Sequence, residues 1–144
     1  MSELLGFDFS ERLKVSLHGV DWTLGLVPYG KVAQLSHQLD AAIRPIREAR
    51  DAGDEAGQRA AWDSQVDAIE AAQREIVRWG VKGWSKSGPL LFESVEFAGK
   101  RYDVLTDQVV DLLSRVGAGA LVARLAEAIR AANTLSEDDL KGFR

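Results

Sequence analysis

The side chains that do chemistry are sparse in this chain and poorly spaced for it. Its two histidines, His18 and His37, stand alone, and there is no cysteine. A zinc or iron centre needs several such ligands at set spacing, so neither is expected, and a thiol nucleophile is excluded. Both imidazoles read as surface groups. The densest acidic run, Glu137-Asp138-Asp139, lacks the spaced oxygens and central glycine of a calcium loop and reads as a solvated tail. Nothing marks out two acids that would converge in a cleft with divergent pKa values, as acid–base catalysis requires. Gly80-Val81-Lys82-Gly83-Trp84-Ser85-Lys86-Ser87-Gly88 mixes glycine, lysine and serine. It lacks the Gly-Lys-Ser order and following helix of a phosphate loop. No Gly-x-Ser-x-Gly elbow occurs. No catalytic, cofactor or metal site is predicted.

Four residues are better suited to holding another protein. Trp79 and Trp84 bracket the glycine-bearing loop. Trp79 continues a helix and reads as core, as do Trp22 and Trp62 on their apolar faces. Trp84 serves equally as a partner anchor or as a pin holding the loop to the core. Leu135, Leu140 and Phe143 lie beyond the last firm helix, on an acidic tail over residues 134–144. Apolar residues on a mobile tail suit docking with ordering on binding; folding back on the domain is the other option. Trp84, Leu135, Leu140 and Phe143 are therefore the candidate partner-binding residues.

The elements that would position them are mostly helical. Leu13, Val15 and Leu17 alternate with polar residues, as do Trp22, Leu24 and Leu26, so residues 12–27 predict a β-hairpin closed by Pro28. Two strands alone are marginal in water and must lie on helices. Val32, Leu35, Leu39, Ile43 and Ile46 step at helical spacing, with Pro45 expected to end or kink that helix. Residues 50–58 read as a loop. A helix from about Ala60 to Trp79 follows, with Glu70 and Arg74 spaced as an i,i+4 pair. Gly80 and Gly83 stop it, and Val81–Pro89 reads as loop. Val95–Phe97 and Arg101–Val104 flank Ala98-Gly99-Lys100 as a second short hairpin near residues 95–104. Thr106 is placed to cap a helix over 107–116 with Leu105, Val109, Leu112 and Val116 on one face. Gly117-Ala118-Gly119 turns the chain into a last helix over about 120–132, bearing Leu121, Leu125 and Ile129. The fold class predicted is α+β: mainly α with a small N-terminal β-hairpin, the helices packed as a small bundle. Residues 1–133 form a single domain and 134–144 its tail.

Composition agrees. At 144 residues the chain is long enough for one real core. Its 46% hydrophobic content agrees with such a core, and its 28% charged content argues against disorder. The formal charge of −4, with no basic run, makes nucleic acid a poor partner. Met1-Ser2-Glu3-Leu4-Leu5-Gly6 carries no secretory pattern, and no stretch approaches a membrane span, so a soluble intracellular protein is expected.

The pattern of Gly83-Trp84 after a long helix, an insert ending near Leu105-Thr106-Asp107, two small helices, and Asn133-Thr134-Leu135-Ser136-Glu137-Asp138 resembles the tail assembly chaperones of long-tailed bacteriophages. The likeness covers about residues 77–141. It implies a non-enzymatic protein of the host cytoplasm, absent from the mature virion. Such a protein coats the tape measure protein and recruits tail tube subunits. The resemblance also implies the short form of a frameshifted pair. A homo-oligomer stays open. Other readings of the chain are a head–tail connector or tube terminator, and a small host regulatory adaptor.

Overall fold

The computed structural model describes residues 3–4, 7–8, 13–25, 27–86, 88 and 90–133. Two short strands, β1 (Glu3–Leu4) and β2 (Phe7–Asp8), pair antiparallel at the start. The predicted hairpin follows as β3 (Leu13–Leu17) and β4 (Val20–Leu24), with Val15 opposite Trp22 and Leu17 opposite Val20. His18 and Gly19 form its turn at φ 53° and 73°. Two successive left-handed residues match the twist of the strands they join. Val20, Trp22 and Leu24 are buried while Asp21 is exposed and Thr23 half-exposed, the period of two read from the sequence.

Helix α1 (Tyr29–Asp51) continues past Pro45. The expected break does not occur. Ala41 and Pro45 are both exposed, so the one lost backbone bond falls on the solvent side, where a long helix tolerates it. The loop expected over 50–58 shrinks to Ala52–Asp54. Gly53 at φ 70° ends α1, with Gly53 N donating to Arg50 O and Asp54 N to Ala49 O. Asp54 then caps α2 (Glu55–Gly80), its Oδ1 accepting from Gly57 N at 2.8 Å. Both caps were present in the residue types; the polar composition masked them.

The chain turns directly from α2 into β5 (Val81–Trp84), which was expected to be loop. This strand pairs antiparallel with β4, placing Trp84 opposite Trp22 and Val81 opposite Leu24. Four residues with a central glycine carry almost no local strand signal; the partner strand supplies it. The second hairpin is β6 (Phe92–Phe97) and β7 (Lys100–Leu105), longer than its sequence signal. Its turn places Ala98 at φ 52° and Gly99 at 79°. A left-handed alanine is costly, and asparagine tolerates that region better. Ala98→Asn should therefore raise stability by about 0.5 kcal/mol, seen as a higher urea midpoint with an unchanged m-value.

Thr106 caps α3 (Asp107–Ser114) as predicted, its Oγ1 accepting from Val109 N at 3.4 Å. A tight turn over Val116–Gly119 leads into α4 (Ala120–Asn133). The buried face of α3 is Val109, Val110 and Leu113; Leu112 is 61% exposed and Val116 37%. Apolar residues occupy both sides of this helix, and packing against α2 and α4 selected the side. The last helix buries Leu121, Leu125 and Ile129 as read, along with Val122 and Ala126.

Asn133 ties the end of α4 to the β4–α1 crossing. Its Oδ1 accepts from Val27 N at 2.5 Å, and its Nδ2 donates to Gly25 O at 3.2 Å and Ile129 O at 2.8 Å. Trp22, Leu24, Val77, Val81, Leu125 and Ile129, each at most 1% exposed, lie at the centre of the core.

Candidate partner-binding surface

Trp84 is half-buried on β5. Its ring lies 5.6 Å from that of Trp22, tilted by 51°, and its Nε1 donates to Gly88 O at 3.0 Å. The residue therefore holds the loop after β5 against the three-stranded sheet. Leu135, Leu140 and Phe143 lie outside the described residues. Trp79 is core, 5% exposed, with Phe97 and Tyr102 against its ring at 5.9 and 5.7 Å. Lys31 Nζ sits 5.2 Å over the same ring.

His18 occupies its exposed hairpin turn and His37 the exposed side of α1. Among the described residues, no group of three or more His, Asp or Glu side chains is placed to hold a metal ion. A strongly charged cleft of about 320 Å³ lies between α2 and α3, lined by Asp67, Glu70, Arg74, Glu75, Arg78 and Asp107, with Ala71 and Val110. Its cations are engaged. Arg74 does not stay with Glu70 on its own helix; it bonds Asp111 of α3. Arg78 donates from Nε to Leu105 O at 3.1 Å and bonds Glu93 of β6. Its Nη1 reaches Glu75 at 3.3 Å and Asp107 at 3.8 Å.

Burial works hardest on the Arg78 guanidinium, against its charge, yet the three carboxylates outweigh it and hold its pKa above the usual value. A raised folded-state pKa means this stabilisation is complete below the ordinary arginine value and fades only in strong alkali. The cluster is a clasp joining α2 to β6, β7 and α3. Arg78→Met should cost about 1.5–3 kcal/mol, because it abandons charged hydrogen bonds around a mostly buried group. Thermal unfolding measures this directly.

The surface best shaped for a partner is an arm. Helix α1 has 23 residues and α2 has 26. Burial in α1 stops at Ala42, and in α2 it starts only at Ile69. The outer ends therefore form a two-helix hairpin, with roughly 14 Å of α1 and roughly 20 Å of α2 beyond their last buried residues. Ile43, Ile46 and Val66 are half-buried there, and Trp62 is 49% exposed. The expectation that Trp62 is core fails for a reason of length. The stripe through Trp62, Val66, Ile69 and Ile76 outruns α4, whose 14 residues cannot cover a 26-residue helix. Where the two helices leave the core, one side carries an open groove of about 550 Å³ whose alanines, Ala41, Ala42, Ala68, Ala71 and Ala72, are flanked by His37, Gln38, Gln65 and Glu75. No described helix is long and apolar enough to cross a membrane.

No protein-family model matches the chain, and neither a curated protein nor a solved structure shows similarity to it.

Proposed function

We propose that this protein is a non-enzymatic tail assembly chaperone of a long-tailed bacteriophage, binding the tape measure protein and recruiting tail tube subunits. The pattern of Gly83-Trp84, Leu105-Thr106-Asp107 and Asn133–Asp138 supplies the family reading. The observation that supports the physical task is the arm, where Trp62 stands 49% exposed on a stripe the core does not cover. A surface of this kind takes up and releases apolar helical segments without any chemical step. The acidic tail is a second element for the same task.

The test is coexpression with a fragment of the tape measure protein encoded beside it. The fragment should stay soluble and copurify with the domain. A fragment that aggregates, with none captured, would sink the reading. Deleting residues 134–144, or changing Leu135 and Leu140 to Asp, should leave the circular dichroism spectrum unchanged and weaken capture. Unchanged capture by both variants would remove the tail from the binding surface. Trp84→Phe should retain capture, because an aromatic ring still packs on Trp22.

A further inference from the structure

Residues 92–103 of the β6–β7 hairpin stand apart from the body, and not one of them is buried. Among the described elements the two strands pair only with each other, in a sheet separate from β3, β4 and β5. A two-stranded hairpin is marginally stable by itself, so its order depends on what it leans against. That support is narrow. On the inner face, Phe97 and Tyr102 rest their rings on Trp79. Val95 lies opposite Tyr102 in the ladder and is half-buried on the same face. Lys31 of α1 holds its Nζ 5.5 Å from the centre of the Phe97 ring. Glu93 bonds Arg78, and the Asp103 carbonyl accepts from Lys82 Nζ at 3.1 Å. The stem is held differently. Leu90, Val104 and Leu105 are buried. The Leu91 carbonyl accepts from Thr106 N at 3.0 Å, and the Leu105 carbonyl from Arg78 Nε at 3.1 Å. The hairpin is thus fixed at its base and lightly held beyond it. What it covers is a buried tryptophan, Trp79, together with Gly30 in the first turn of α1, where an added Cβ would lie 3.5 Å from Phe97 Cζ.

We propose that β6–β7 is a flap hinged at this stem. Residues 92–103 swing out as one unit while the rest of the domain stays folded, uncovering Trp79 and the first turn of α1. Opening gives up the packing of three half-exposed side chains and two polar contacts; global unfolding gives up the whole core. Segments with few buried apolar contacts open at far lower free energy than the core they rest on. Once lifted, the two-stranded ladder has no support, so its amides lose protection in the same step. The open form presents the Trp79 ring beside the Lys31 ammonium, a surface that the closed form hides. This device is independent of the chaperone reading.

The test is native-state hydrogen exchange of the full chain, read residue by residue in rising sub-denaturing urea. The protected amides of β6 and β7 should share one opening, at least about a hundredfold more frequent than that of α4. Its urea dependence should be weak, because little surface is exposed. Thr106 N and Val110 N, which bond Leu91 O and Thr106 O, should stay protected through that step. Ile129→Val, which thins the core, should quicken exchange in α4 by about fivefold and leave β6 and β7 unchanged, as only a local opening permits. Phe97→Ala, which removes a ring from Trp79, should quicken β6 and β7 by about tenfold or more. Amides of β6 and β7 that share the frequency and urea slope of α4 overturn the proposal, and so does an Ile129→Val effect equal in both. Exchange indifferent to Phe97→Ala overturns it as well. Loss of protection at Thr106 and Val110 in the same step rules out the hinge at the stem. Hairpin amides with no protection at all rule out a closed flap.

Discussion

Trp22→Ala is expected to remove about 3–5 kcal/mol of stability, a large share of the roughly 5–15 kcal/mol that holds a domain of this size folded. The ring is 1% exposed. It sits under β4 with Trp84 at 5.6 Å, and its Nε1 donates to Leu17 O at 3.1 Å. Alanine therefore leaves a large cavity, removes the indole bond to β3, and leaves the Trp84 ring without the ring it packs on. Trp22→Phe should cost about half as much, since a ring remains and only the indole bond and part of the volume are lost. Urea unfolding of the two variants distinguishes packing from the hydrogen bond. A loss below about 1 kcal/mol for alanine would mean that this tryptophan does not organise the sheet. The Trp22–Trp84 coupling is measured by the double-mutant cycle and should lie near about 1 kcal/mol beyond simple burial.

The second large effect belongs to a residue with no side chain. Gly80 ends α2 where α4 crosses closest, and its carbonyl accepts from Gly25 N at 2.8 Å. A Cβ added there would fall 2.4 Å from Ile129 Cγ2 and 2.7 Å from Cδ1. Ile129 is 1% exposed, so it has no room to withdraw. Gly80→Ala should cost about 2–3 kcal/mol by overpacking, although alanine is the better helix former by about 1 kcal/mol. Ile129→Val in that background should restore part of the loss, because it removes Cδ1. If Gly80→Ala were neutral or stabilising, the close approach of α2 and α4 would be wrong. Its effect should be separable from Trp62→Ala, which touches the arm and should leave the unfolding midpoint nearly unchanged.

Gly80 also shows how far local patterns reach. As a helix stop it was legible, because glycine at the end of a periodic stretch is a standard terminator. That the position also admits Ile129 was not legible, because that contact joins residues far apart in the chain. The candidate site divides in the same way. The long apolar stripe on α2 was visible as spacing, but Trp62 was assigned to the core because periodicity reports which face is greasy and not what covers it. Trp84 reads from its neighbours as anchor or pin alike, and only the folded chain brings its ring against Trp22.

Residue order alone dictated the hairpin of β3 and β4, the periodic faces of α1, α2 and α4, the Thr106 cap and the second hairpin, and through them the α+β class. Each is encoded within a few neighbours, by alternation, helical spacing or a turn residue. Tertiary contact decided the rest: β5, the side of α3 that is buried, the run of α1 past Pro45, the Asn133 tie, and the length of arm left bare. These depend on partners dozens of residues away, so no window of adjacent residues contains them. Only the folded chain shows where the core ends, and with it which apolar residues remain for another molecule.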